Sequence, residues 1–563
     1  MGLSTAVANG LVRSRSLSFS LLCNSNFNHS PPTSTSAFSL LNKFHSPLSP
    51  LPSTTIATSH RRYRRSLVKM ASMEAANQKV TAPYGSWKSP ITAEIVAGGE
   101  KRLGGIAVDG HGRLVWLESR PTEGGRGVLV REPEKPGENA IDITPKDFAV
   151  RTLAQEYGGG AFAISGSTLI FSNYKDQRLY QQSIASGGRL LDSTPSPITP
   201  DYGGPVVCYA DGVFDPRIPR FITVMEDRRE SQLNPTTTIA AIPLSGSGVQ
   251  APKILVSGSD FYASPRMDPK GERMAWIEWD HPNMPWDRSE LWVGYISENG
   301  DVEKRICIAG GDASLAESPT EPKWTSAGDL FFITDRENGF WNLYKWIESK
   351  NEVVALYSME AEFARPLWVF GMSSYEIVCS QERRNLIACS YRKKGRSYLE
   401  VLDDVQSSLS PLEIPFTDIN NIVVFGGNCL SIEGASAVHP LSVAKVPLDD
   451  HKQKAVDFNI MWCSSPESSK YHSYFSLPEL IEFPTEVPGQ MAYAYFYPPS
   501  NPTCQGVPGE KPPLLLKSHG GPTAETRGIL NLGVQYWTSR GWAFVDVNYG
   551  GSTDFERFIL WTL

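Results

Sequence analysis

Between about residues 80 and 460 the chain repeats one short pattern. A polar stretch with proline leads into an apolar strand, a tight turn, and a second strand rich in aromatics. The clearest copy runs Ser264-Pro265-Arg266-Met267-Asp268-Pro269-Lys270-Gly271 into Glu272-Arg273-Met274-Ala275-Trp276-Ile277, and Glu290-Leu291-Trp292-Val293 follows as the next strand. Asp-Pro-Lys-Gly is a turn with a mechanism: proline presets φ, and glycine takes a positive φ that other residues resist. Further copies contain Gly105-Ile106-Ala107-Val108, Tyr157-Gly158-Gly159-Gly160, Asp211-Gly212-Val213-Phe214, Glu321-Pro322-Lys323-Trp324, Pro366-Leu367-Trp368 and Asn421-Ile422-Val423-Val424. Seven units spaced by roughly 50 residues predict a mainly β fold, a seven-bladed β-propeller over 80–465 in which each blade covers its neighbour's face. An irregular pair of β-sandwiches is the competing arrangement. Long helical periodicity is absent here, which argues against an α/β domain in this region.

Composition narrows the partners. A net charge of -7 over 563 residues is mild and argues against a dedicated nucleic-acid or anionic-membrane binder. No run of about 18 apolar residues occurs, so no membrane-spanning helix is expected. The eight cysteines include no C-x-x-C pair, so a zinc site has no support in their spacing, and buried free thiols in a reducing compartment are the plain reading.

Residues 1–72 differ from the rest. They carry no acidic residue before Glu74, are rich in Ser, Thr and Pro, and hold Arg13, Arg15, Arg61, Arg62, Arg64 and Arg65. Such a segment cannot bury enough apolar surface to fold alone, so disorder is expected. Ser-rich, Arg-bearing and acid-free also describes an organelle transit peptide, and the length and Ser/Thr bias favour a chloroplast address. A secretory signal fits less well, because Leu17-Ser18-Phe19-Ser20-Leu21-Leu22 is short and broken by serines. Met70 and Met73 read as second start sites, which would give a cytosolic form.

From about residue 474 the pattern changes. Pro513-Leu514-Leu515-Leu516-Lys517-Ser518 is an apolar strand that runs into His519-Gly520-Gly521-Pro522. A helix-like stretch covers about 528–540, and Gly541-Trp542-Ala543-Phe544-Val545-Asp546-Val547-Asn548 is the next strand. Strand, Gly-rich loop, helix and strand form the opening of an α/β-hydrolase sheet, assigned to 474–563 as an incomplete peptidase domain. Glycines at the loop let backbone N–H groups approach and stabilise a developing oxyanion. A plain strand-end turn is the alternative.

Several stretches together resemble the prolyl oligopeptidase family of serine peptidases, in particular acylaminoacyl-peptidase-like and dipeptidyl-peptidase-like members. They are Asp260-Phe261-Tyr262-Ala263-Ser264-Pro265-Arg266, Glu278-Trp279-Asp280-His281-Pro282, Glu156-Tyr157-Gly158-Gly159-Gly160 and Glu362-Phe363-Ala364-Arg365-Pro366. The resemblance implies proteolysis of short peptides by acyl transfer, without a cofactor. It implies an oxyanion donor at Gly520 or Gly521, with His519 shaping the loop. It also implies that Glu226 or Asp227 faces the cavity and contacts a free peptide N-terminus, although a solvated loop fits those two residues as well.

No G-x-S-x-G occurs in the sequence, and no histidine follows His519. The resemblance therefore implies that the Ser/Asp/His triad lies beyond Leu563, with the chain truncated and inactive alone. The alternatives are a non-catalytic propeller that binds or regulates other proteins, and an esterase of the same hydrolase fold. Short peptides are the expected partners, and a homo-oligomer is compatible with the sequence.

Overall fold

The computed structural model describes residues 79–553, apart from 99, 136, 185–192, 247, 382, 383 and 522. The readings of residues 1–72, of Pro522 and of residues 554–563 lie outside the described residues. The described residues all fall within one compact unit.

The chain is mainly β. Among the described residues, seven four-stranded sheets follow one another over 102–142, 162–197, 207–256, 261–309, 320–355, 375–411 and 418–463. Each is an antiparallel meander with its strands in chain order, an arrangement consistent with a β-propeller. The Asp-Pro-Lys-Gly turn forms as its chemistry dictates. Gly271 has a φ of 68°, and the Asp268 carboxylate accepts the Glu272 and Arg273 N–H groups at 2.8 and 3.1 Å.

A two-residue bulge recurs in the first strand of several sheets. The pairing register shifts between Leu103 and Ile106, Ala210 and Val213, Ala263 and Arg266, and Thr320 and Lys323. Asp211, Ser264 and Glu321 sit at these shifts with φ near +50°. Their side chains and backbone link neighbouring sheets: Ser264 N–H donates to Asp211 at 2.9 Å, and Ser374 N–H donates to Glu321 at 2.7 Å. The bulges also accommodate Pro265 and Pro322, which have no N–H to give to a ladder.

The seventh sheet packs on the first. Val443 and Trp462 share a cluster with Leu114, Trp116, Val128 and Val130. Trp462 Nε1 donates to the buried Glu118 carboxylate at 2.6 Å, and Lys445 pairs with Glu132.

An eighth sheet is built differently. Glu479–Pro484, Met491–Tyr497 and Ala543–Asn548 run antiparallel in succession, and Leu514–Ser518 pairs parallel with Ala543–Asn548. The helix Leu532–Thr538 lies between the two parallel strands in sequence, capped by Asn531, whose side chain accepts the Gly533 and Val534 N–H groups. Residues 80–98, which periodicity groups with the β repeats, pack instead on these C-terminal elements. Val80–Thr81 pairs with Cys504–Gln505, and Asn501 donates to the Lys88 carbonyl at 3.0 Å. Trp87 closes against Gly541, where a β-carbon would meet its ring at 3.0 Å.

Candidate active-site cleft

The parallel pairing of Leu514–Ser518 with Ala543–Asn548 brings two loops to the same end of the sheet: His519-Gly520-Gly521 and the turn 549–553. The carboxyl ends of parallel strands are where open α/β sheets receive ligands. His519 stacks on Tyr549 with ring centroids 4.3 Å apart. Tyr549 OH donates to the Gly521 carbonyl at 2.6 Å. Gly521 has a φ of 68°, the left-handed region that favours glycine, and the space beside Gly520 is open.

His519 Nε2 lies 2.7 Å from the Ser552 hydroxyl oxygen, and that hydroxyl donates to the Tyr549 carbonyl at 2.8 Å. The other ring nitrogen faces the Gly520 carbonyl at 3.3 Å rather than a carboxylate. His519 thus connects the two loops, and Ser552 is buried.

Beside the loop stands Trp368. Its Nε1 donates to the Thr523 carbonyl at 2.7 Å, and a β-carbon at Gly521 would meet its ring at 3.9 Å. Tyr157 meets the Trp368 ring edge-on at 5.5 Å, and Trp286 packs against it at 4.4 Å. These three aromatics form one wall of a cavity of about 420 Å³. Phe261 and Trp279, stacked at 5.3 Å, form another part, together with Met284 and Leu367. Polar groups converge in it: Glu156, Glu226, Arg228, Asp260 and His281. Apolar walls with a few convergent polar groups describe a ligand cleft. A larger cleft of about 700 Å³, lined by Arg102, Arg126, Arg151 and Tyr174 among others, is more polar and contains none of the sequence-predicted site residues.

The two acidic candidates separate. Glu226 is 2% exposed and lines the cleft, whereas Asp227 is not among the lining residues. Glu226 pairs with Arg228 at 2.6 Å and accepts the Gln155 N–H at 2.8 Å. Asp227 pairs with Arg229 at 2.6 Å, and hydrogen bonds from that guanidinium hold its carboxyl below the usual range. In each pair the arginine follows its acid by two residues, just past the end of the strand Arg220–Asp227. Asp260 meets His281 Nδ1 at 2.9 Å, and the His281 backbone and ring N–H groups lower its pKa.

The glycine loop and Glu226 are thus not in contact; Trp368 stands between them. Sequence reasoning missed Trp368, Trp286 and Tyr157 as site residues. Tyr157 lies in one of the stretches that carry the family resemblance, Trp286 four residues past the end of another, and Trp368 in one of the repeat copies. Among the described residues no group of metal-ligating side chains clusters, and the seven described cysteines are free.

No sequence-family profile and no curated protein matches the chain. Solved structures do. A puromycin-hydrolyzing peptidase of Mycobacterium tuberculosis is 32% identical over 85% of this chain and 71% of its own, with a TM-score of 0.76. A puromycin hydrolase complexed with PGG is 30% identical over the same shares, with a TM-score of 0.75. Prolyl oligopeptidase B from Galerina marginata shares the fold at 10% identity and a TM-score of 0.59, over 83% of this chain and 64% of its own.

Proposed function

The chain belongs to the prolyl oligopeptidase family of serine peptidases, and from that premise we propose that it forms the peptide-receiving part of a peptidase acting on short peptides. Residues 102–463 are read as a seven-bladed propeller and 474–563, with residues 80–98 packed on them, as the opening portion of the hydrolase domain. Seven consecutive meanders, the last packed on the first, support the blade reading. Residues 1–72 are read as a chloroplast address.

One observation carries the functional reading. Trp368 lines the cleft and also hydrogen-bonds the loop that follows Gly521. A peptide held against this indole lies beside the backbone N–H groups of Gly520 and Gly521. There its scissile carbonyl oxygen, gaining negative charge as a nucleophile adds, would be stabilised by preorganised donors.

The nucleophile is a separate matter. The Ser552 hydroxyl lies within hydrogen-bond distance of the Tyr549 carbonyl as well as of His519, and among the described residues no carboxylate bonds the His519 ring. A serine hydroxyl without a positioned base is a weak nucleophile. We place the Ser/Asp/His triad outside these 563 residues, so that the chain alone binds peptide without hydrolysing it. The same observation favours the second reading, a non-catalytic binding or regulatory protein. The purified chain is expected to remain unlabelled by a fluorophosphonate serine-hydrolase probe. Labelling that Ser552→Ala abolishes would overturn the assignment of inactivity.

A further inference from the structure

The larger cleft has a chemistry of its own. It shares no lining residue with the aromatic one, and three arginines reach it, Arg102, Arg126 and Arg151, against two acids, Glu100 and Glu123. Most of these charges are already matched. Arg126 Nε pairs with Glu123 at 2.6 Å, and its Nη1 donates to the Pro145 and Phe148 carbonyls at 3.3 and 3.2 Å. Glu123 also accepts from Arg120, whose guanidinium grips Asp142 through two bonds of 2.6 Å. Glu100 accepts the Ser464 hydroxyl at 3.3 Å.

Arg102 and Arg151 are left over. Both are exposed, and among the described residues neither guanidinium has a carboxylate or carbonyl partner. Arg151 lies over the Tyr174 ring instead, 5.2 Å from its centroid, a contact that holds the planar group while leaving its N–H donors unused. Gly124, Gly125, Gly127 and Ala149 line the cleft with nothing larger than a methyl group, and a β-carbon at Gly124 or Gly125 would meet no atom within 4 Å. A cavity of about 700 Å³ holds a ligand far larger than a single ion. The chain as a whole carries a net charge of -7, so an acidic ligand is repelled by the molecule at large and drawn to a place where two cations stand unmatched.

We propose that this cleft is a docking site for an acidic peptide segment, with its carboxylates received by Arg102 and Arg151. A guanidinium takes a carboxylate through two parallel N–H···O bonds, which gives direction as well as attraction. Because the two cavities have no residue in common, the inference stands apart from the reading of the aromatic cleft.

The test uses the full chain at neutral pH, where glutamate side chains with a pKa of about 4.3 are ionised. Acetyl-Glu-Gly-Glu amide and its isostere acetyl-Gln-Gly-Gln amide are titrated separately, with binding read by calorimetry. The wild type is expected to bind the acidic peptide about 10-fold or more tighter, and high salt is expected to shrink that preference. Arg102→Gln and Arg151→Gln are each expected to lose most of it. Neither guanidinium makes a hydrogen bond within the fold, so both variants should keep the wild-type circular dichroism and melting temperature. A preference that survives in both variants overturns the proposal, as does equal or absent binding of the two peptides by the wild type. Inorganic phosphate that competes as well as the acidic peptide at equal concentration also overturns it, because a lone oxyanion would then suffice. Displacement of the acidic peptide by Phe-Gly amide would put it in the aromatic cleft, which overturns the proposal and leaves the reading of that cleft standing.

Discussion

Asp418 shows how single charged groups join the seven-sheet part to the eighth sheet. It is buried, and burial alone would raise its carboxyl pKa; Arg527, at 2.8 Å, and Arg392 outweigh that and lower it. Arg392 also bonds Glu525, which precedes the strand Ala543–Asn548 of the eighth sheet, and Arg365 donates to Asn420 at 2.8 Å. A folded-state pKa below the unfolded value of about 3.9 contributes stability that is complete above pH 4 and lost as pH falls through the folded value. Thermal melts should therefore drop steeply below about pH 4. Asp418→Asn should cost roughly 3 kcal/mol at pH 7 and flatten that acid limb, since it removes one partner of a buried pair. An unchanged acid limb in the variant would place the sensitivity elsewhere. None of this was legible in the sequence, because Arg392, Asp418 and Glu525 are far apart along the chain and only tertiary folding makes them one cluster. The pairing of Glu226 with Arg228 and of Asp227 with Arg229 is different, because each acid and its arginine are only two residues apart in the sequence.

Among the elements, local chemistry predicted turns better than it predicted bulges. Asp268-Pro269-Lys270-Gly271 reads as a turn from its residues and forms one. Ser264-Pro265 and Glu321-Pro322 read as the polar lead-in to a strand, yet they lie inside strands, as bulges. Nothing local distinguishes the two cases; what decides is that Asp211 and Glu321 carboxylates bond the backbone of the next sheet. The seam between the first and seventh sheets depends on a similar long-range bond. Trp462→Phe keeps most of the apolar contact but removes the donor to Glu118, which retains Lys101, Arg120 and Trp116 as partners. A loss of about 1.5 kcal/mol is expected from denaturant unfolding, as for a hydrogen bond to a charged group. Wild-type unfolding in the variant would mean that the seam is held by packing alone.

At the scale of the whole molecule, periodicity was enough to call the chain mainly β, and the glycine loop between two apolar strands was enough to find the parallel pair. Sequence could not show that Trp368, from a loop ahead of the sixth sheet, touches the loop after Gly521, or that residues 80–98 pack on the C-terminal elements. Both depend on where distant segments come to rest. The account's central claim is that the aromatic cleft beside the glycine loop is where peptide binds. Photo-crosslinking with a peptide amide bearing N-terminal benzoylphenylalanine, followed by peptide mapping, tests it most directly. The account predicts label on Met284, half-exposed in the cleft wall, and on Trp368, competed away by Phe-Gly amide. Competable label confined to the 700 Å³ cleft around Arg151 and Tyr174 would contradict it.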